Sequence, residues 1–236
     1  MNGEASRNID DLMEVAYAGD IYGMGLILDE GLARVNDTSL ETGMTALHQA
    51  CLGGELRAVA YLLDAGADIE AQNLAGQTPL HVACQFDNAR LAELLLSRGA
   101  DLMALDEDGR TPSHTACLNG RDSLLPLLSC AGVDFFSVKD DHGQTCFDLS
   151  LGADCADAAI YLMLERGMSL DDPVDGVSLE KHFDWLRGPA LEKVEASIEA
   201  ARRTQRAKSS LEAIASEMSA ARPNLDTPKR STGMGL

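Results

Sequence analysis

The sequence predicts an all-α solenoid, in which short pairs of helices stack one on the next along the chain. Three observations predict this fold class: a six-residue block that recurs at a fixed period, glycines that keep the same register, and few aromatic residues. A fixed period of about 20–50 residues is the sequence signature of a repeat architecture. Aromatic side chains make up only 4% of the chain. Leu, Ala, Val and Ile must therefore form the core, and these residues suit thin repeated layers.

The recurring block begins with a threonine, and successive copies start 33, 33 and 34 residues apart. The copies read TALHQA from Thr45, TPLHVA from Thr78, TPSHTA from Thr111 and a diverged TCFDLS from Thr145. Glycines and aspartates keep constant offsets from these threonines. They are Gly43, Gly76, Gly109 and Gly143 before the block, Gly66, Gly99 and Gly132 after the second predicted helix, and Asp68, Asp101 and Asp134.

The block resembles the ankyrin repeat, whose signature is T-P-L-H-x-A at a period of about 33 residues. The resemblance implies helix pairs joined by finger-like turns, and it covers about three-quarters of the chain. The first repeat lacks the Thr-Pro-Leu-His letters, as expected of a terminal repeat with one face toward water. The implied divisions are a tail at 1–7 and repeats at about 8–42, 43–75, 76–108, 109–142 and 143–176.

The residues of the motif predict where each helix begins and ends. The threonines are placed to cap the first helix with their hydroxyls, and a proline fits the next position because its missing N–H costs little there. A glycine in the left-handed conformation is expected after the second helix. The residues concerned are Thr45, Thr78 and Thr111, Pro79 and Pro112, and Gly66 and Gly99. The side chains expected to face the next layer are Leu47, Ala50, Leu62, Leu63, Leu80, Ala83, Leu95 and Leu96.

The chain carries a formal net charge of −19, and that charge is unevenly distributed. Residues 1–177 hold 30 Asp and Glu against 9 Lys and Arg, whereas residues 178–236 hold 8 against 10. An acidic body repels nucleic acid and anionic membrane surfaces. The charge therefore disfavours both as partners and favours a basic or mixed-charge protein at the repeats.

The N-terminal sequence lacks the basic region and apolar stretch of a signal peptide, and no apolar run reaches the roughly 18 residues of a membrane span. Six cysteines without a secretory signal indicate a reducing compartment, where thiols stay free. We therefore expect a cytoplasmic protein that does not enter the membrane, with association with the cytoskeleton as an alternative.

The cysteines and histidines of the motif predict structural roles and no metal site. Equivalent residues of successive repeats should lie about 8–10 Å apart, which is too far for shared zinc ligation. The resemblance implies that each motif histidine bonds turn backbone, and that the cysteine after the motif alanine is a small buried residue. The residues concerned are His48, His81 and His114, and Cys51, Cys84 and Cys117.

No catalytic motif is present either, and we expect no enzyme activity, cofactor or small-molecule substrate. Cys130, Cys146 and Cys155 have no obvious histidine or basic activator nearby in sequence.

In ankyrin-repeat proteins, partners usually occupy a concave groove formed by the finger tips and the first helices. Four of the variable positions that would line this groove are apolar: Leu52, Leu74, Phe86 and Leu118. They either form one interface strip or are scattered surface side chains. The candidate partner-binding residues are Met44, Leu52, Leu74, Gln77, Gln85, Phe86, Glu107, Arg110, Leu118, Asn119 and Gln144.

Departures from the motif concentrate in the fourth and fifth repeats. Ser113 replaces the usual leucine, and Pro126 is predicted to interrupt a second helix. The adjacent Phe135 and Phe136 cannot both point inward from a short turn. One of them is expected either to cap the apolar edge of the fifth repeat or to contact a partner or the C-terminal segment.

Residues 177–221 are predicted to form a helical C-terminal extension, and residues 222–236 a disordered tail. A short helix from Ser178, carrying Trp185, is expected to cover the last repeat. A longer one from Ala190 to about Ala221 would present a second candidate surface, either for an acidic partner or for the acidic body of the protein itself. That surface consists of Arg202, Arg203, Arg206 and Lys208.

These features favour a non-enzymatic adaptor or scaffold that holds a protein partner in the groove. One alternative is a structural subunit of a larger cytoskeletal or ciliary assembly, anchored by the C-terminal helix. Another is an inhibitory regulator that covers a basic surface of its target.

Overall fold

A computed structural model describes residues 2–152, 158–159, 161–163, 173–174, 177–178 and 203. The helices are α1 Asn2–Tyr17, α2 Ile21–Asp29, α3 Ala46–Gly53, α4 Leu56–Asp64, α5 Pro79–Gln85, α6 Ala89–Ser97, α7 Pro112–Leu118, α8 Leu125–Cys130 and α9 Cys146–Gly152. A 3-10 turn, Asp122–Leu124, leads into α8. Residues 158–159 and 161–163 are also helical.

The helices form successive pairs that stack in one direction. First helices pack on first helices, in the order α1, α3, α5, α7 and α9, and second helices pack on second helices from α2 through α4 to α6. The predicted all-α solenoid is therefore confirmed. None of the helices in the described part of the chain is long and apolar enough to cross a bilayer.

The predicted helix caps are present in detail. Thr45, Thr78 and Thr111 precede the first helices in extended conformation, and the prolines that follow two of them occupy the first turn. Each threonine N–H donates to Nδ1 of the histidine three residues later, at 3.2 Å. Gly66 and Gly99 follow the second helices with φ of 88° and 92°. The left-handed turn that ends these helices is therefore made by glycine, as predicted.

The predicted core is correct at six of its eight positions. Leu47, Ala50, Leu62, Leu80, Ala83 and Leu95 are almost completely buried. Leu63 and Leu96 are only half-buried. Each lies one residue beyond a buried leucine, and therefore about 100° further around the helix, at the edge of the packed stripe.

Pro126 marks the predicted interruption, because the second helix of the fourth repeat is divided there into the 3-10 turn and α8. It lies in the first turn of α8, where its missing N–H leaves no helical carbonyl unpaired. The 3-10 turn replaces the start of the regular second helix, so α8 has six residues whereas α4 and α6 have nine each.

Both phenylalanines of the fourth repeat pack toward the fifth. Phe135 is 3% exposed, and its carbonyl accepts the Phe147 N–H at 3.2 Å. The ring of the half-buried Phe136 lies 5.2 Å from that of Phe147. The expected capping of the fifth repeat is observed for Phe136, whose ring packs on Phe147, while Phe135 is buried and contacts Phe147 through its backbone.

The chain divides into two compact units, residues 1–183 and 184–236. Helix α1 begins at Asn2, within the segment that the motif register assigned to a tail. Ser178, the expected start of a short helix, is instead part of a two-residue strand, Val177–Ser178, that pairs antiparallel with Pro173–Val174. The residues between the strands are Asp-Gly, a sequence that favours tight hairpins and that the helical prediction overlooked.

The predictions for Cys155, Trp185, the long helix from Ala190 and the tail at 222–236 lie outside the described residues. Of the second candidate surface, the structure describes Arg203, which is helical and exposed.

Candidate interaction cleft

Three Asn or Asp side chains shape the finger-like turns between repeats. Asn73, Asp106 and Asp140 each lie three residues before a tip glycine, and the Oδ1 of each accepts two backbone N–H groups. These Asx turns hold the finger closed without a longer strand pair. The Asx-x-x-Gly spacing recurs at the repeat period, and this pattern could have identified the three residues from the sequence.

Backbone hydrogen bonds join each finger to the next. Leu74 N–H donates to the Thr42 carbonyl at 3.0 Å, Glu107 N–H to Ala75 at 3.1 Å, and Asp141 N–H to Asp108 at 3.0 Å. The fingers therefore form a continuous row along one edge of the solenoid.

The motif histidines link each first helix to the next finger, as the family resemblance implied. His48 Nε2 bonds the Gln77 carbonyl at 2.9 Å, His81 Nε2 the Arg110 carbonyl at 3.0 Å, and His114 Nε2 the Val138 carbonyl at 3.1 Å. Because Nδ1 accepts a threonine N–H, the proton must lie on Nε2 for both bonds to form. Each ring is therefore a structural bridge, and burial keeps the rings of His48 and His81 neutral.

Acid should weaken the bridges made by His48 and His81. Burial lowers the pKa of His48 and His81 below the ordinary value of 6.5, so at and below that pH the unfolded chain binds more protons than the folded protein. The contribution to stability is complete above pH 6.5 and is lost as the pH falls below it. We expect the ring resonances of both histidines to titrate below pH 6.5 in NMR. Midpoints above 6.5 would contradict the neutral bridge.

The motif cysteines are buried between layers, and burial raises the pKa of Cys51 and raises that of Cys84 to about 12. Cys146 differs, because contacts with Cys117 and then His114 lower its pKa to about 6. The activating histidine lies in the preceding repeat, where sequence proximity could not reveal it. Both residues of this pair are fully buried, away from any described cleft. Among the described residues no group of His, Cys, Asp and Glu could hold a metal ion.

A cleft of about 250 Å³ opens between two neighbouring fingers and the first helices α5 and α7. Six of the eleven candidate residues line it: Gln77, Gln85, Glu107, Arg110, Leu118 and Asn119. The remaining lining residues are Ala75, Asp106, Asp108 and Thr115. We call this site the central cleft. Its lining is mostly polar, with carboxylates and side-chain amides.

Arg110 is the only cation that lines the central cleft, and two carboxylates hold it. Its Nη1 lies 2.7 Å from Asp108 Oδ2, and its Nε lies 3.6 Å from Oδ2 of the buried Asp140. Burial acts to raise the pKa of Asp140, but backbone hydrogen bonds from Gln144 and His142 and the Arg110 charge lower it overall. With Arg110 offset in this way, Asp106 and Glu107 leave the cleft negatively charged.

The other five candidates do not line the cleft. Leu74, 62% exposed, and Gln144 are exposed on fingers, Phe86 is half-exposed at the end of α5, and Leu52 and Met44 are half-buried. Of the four apolar candidates, only Leu118 belongs to the cleft. The site that the fold assembles is therefore polar and acidic, and differs from the apolar strip considered from the sequence.

Comparison with known proteins supports the same architecture. A family model described as ankyrin repeats, in three copies, matches residues 12–106. The matched region covers α1 to α6, and α7 to α9 continue the same stacking beyond it. No curated protein matches the chain.

Proposed function

This chain contains ankyrin repeats, and from that premise we propose that it is a non-enzymatic adaptor that holds a basic or mixed-charge protein partner in the central cleft. Ankyrin repeats are generally protein–protein interaction modules, and the family is typically non-enzymatic. The observation that carries the proposal is the cleft itself, which gathers six candidate residues at one site.

The chemistry of the cleft favours a cationic partner segment. Glu107 is exposed at the rim, and Gln77, Gln85 and Asn119 offer amide donors and acceptors to a partner backbone. Leu118 adds one apolar contact. Charge complementarity of this kind favours fast association and selects the partner, while a few buried contacts supply most of the affinity.

Two variants test the cleft. We expect Glu107→Lys combined with Leu118→Ser to weaken capture of a specific partner by at least tenfold, or about 1.4 kcal/mol. The matched control is Glu93→Lys, the same charge change at an exposed position of α6 outside the cleft. Quantitative mass spectrometry of proteins retained from native lysate measures the effect. Equal retention by all three proteins would exclude the central cleft as the binding site.

An inhibitory regulator that covers a basic surface is the second candidate function, and the acidic charge of residues 1–177 favours it. An inhibitory regulator would use the same contacts in the central cleft. It would differ from an adaptor in that the captured partner loses its own activity. The structural-subunit alternative depends on the C-terminal helix, which lies outside the described residues. The proposal places the protein in the cytoplasm, in keeping with Cys51, Cys84, Cys117, Cys130 and Cys146, none of which forms a disulfide bond.

A further inference from the structure

Helix α2 is apolar on the side that faces solvent as well as on the side that faces the core. Its first eight residues are IYGMGLIL, with no charged side chain, yet Met24 is its only buried residue. Tyr22 is 77% exposed, Leu26 44% and Ile21 37%. Terminal repeats of a solenoid usually turn a polar face outward to stay soluble. This terminal repeat does the opposite.

The exposed side chains share one surface. Tyr22 and Leu26 are four residues apart and therefore neighbours along the same side of α2, with Ile21 beside them. Tyr17, also half-exposed, ends the preceding helix. We call Tyr17, Ile21, Tyr22 and Leu26 the α2 face. None of these residues lines the central cleft.

Carboxylates outnumber cations in the sequence around the α2 face, where the nearest arginines in the chain, Arg7 and Arg34, lie just outside an acidic stretch. Between residues 8 and 33 the chain has six acidic residues and no Lys or Arg. Asp29 and Glu30 are exposed at the end of α2, directly after the Tyr22–Leu26 stripe. The exposed Asp20 precedes the helix and caps it by accepting the Gly23 N–H at 3.0 Å.

We propose that the α2 face docks an amphipathic helix of a partner protein, whose apolar stripe is flanked by Lys and Arg. An apolar helix face recognises apolar residues spaced three and four apart on a partner helix. The acidic border complements basic flanks. A second copy of this chain is a poorer occupant, because pairing of two α2 faces would bring like charges together. The proposal is independent of the central cleft.

The probe is a fluorescein-labelled synthetic peptide of 18 residues (~27 Å if helical), with leucines at three- and four-residue steps and lysines between them. Its binding to the full chain is followed by fluorescence anisotropy. We expect Tyr22→Ser combined with Leu26→Ser to raise the Kd at least tenfold. The matched control, Leu40→Ser with Met103→Ser, removes two exposed apolar side chains elsewhere and should leave the Kd unchanged.

A scrambled peptide of the same composition separates docking from general attraction to an acidic protein. Equal binding of the scrambled and amphipathic peptides would overturn the proposal. Asp29→Asn with Glu30→Gln, which keeps the apolar residues, should weaken binding about threefold or more if the border contributes. No change in that variant would overturn the charge requirement. The Glu107→Lys variant should bind the peptide as the wild type does. Failure of the α2-face proposal can therefore be distinguished from failure of the central-cleft proposal.

Two other occupants would appear as distinct results. Sedimentation of a wild-type dimer that is lost in the Tyr22→Ser/Leu26→Ser variant would assign the face to a second copy and overturn the proposal. Peptide binding that appears only after Arg202, Arg203 and Arg206 are changed to Gln would assign the α2 face to the chain's own basic segment. This result would also overturn the proposal.

Discussion

Gly53→Ala is expected to lower the free energy of unfolding by about 3 kcal/mol, at the upper end of the range for overpacked cores. Gly53 lies in α3, and a Cβ atom there would stand 2.1 Å from the Tyr17 carbonyl oxygen and 3.0 Å from the carbonyl carbon. The obstacle is backbone at the end of α1, so no side chain can rotate away. The first two repeats must separate, and urea unfolding followed by circular dichroism would show the loss.

Gly25→Ala is the matched control. Gly25 also lies within a helix, but its nearest neighbour would be the Tyr61 hydroxyl at 3.4 Å, an ordinary contact. Alanine favours a helix over glycine by about 1 kcal/mol. This variant should therefore be as stable as the wild type or slightly more stable. An equal loss in both variants would show that close approach of repeats is not what requires glycine at position 53.

His81→Ala is expected to cost about 3 kcal/mol of unfolding free energy. The change removes the acceptor of the Thr78 N–H and the donor to the Arg110 carbonyl, and each buried group left unpaired costs about 1–3 kcal/mol. It also leaves a cavity where a fully buried ring had been. Chemical unfolding at pH 7.5, where the ring is neutral, measures the effect.

The same substitution at His142 should change stability by less than about 0.5 kcal/mol, because His142 is exposed on a finger. If His81→Ala were as mild as His142→Ala, the bridge between first helix and finger would not be an important source of stability. If the two variants differed as expected, the motif histidine would be shown to stabilise the fold by bridging the first helix and the next finger.

The motif predicted the fold well because each letter acts locally. Thr78 caps, Pro79 begins the helix and His81 bonds the next finger, and these roles depend on residues at a fixed offset. Leu63 was placed wrongly because apolar character says nothing of the roughly 100° that separates it from Leu62 on the helix.

The central cleft could be predicted only in part. Family positions supplied Gln77 and Arg110, but not Asp106 and Asp108. Asp106 in fact shapes its finger, and Asp108 holds Arg110. Pairings such as Cys146 with His114 join residues 32 positions apart, and only the stacking of two repeats reveals them.

The row of finger-to-finger hydrogen bonds has a mechanical consequence. Glu107 N–H is tied to Ala75 on one side of the cleft, and Asp141 N–H is tied to Asp108 on the other. A pull along this row would therefore load these bonds in series, so that each carries the same tension and the extension is shared among several repeats. The row of fingers would therefore extend elastically, with a stiffness set by the hydrogen bonds between neighbouring fingers. The bound partner would be released only when one of these bonds breaks.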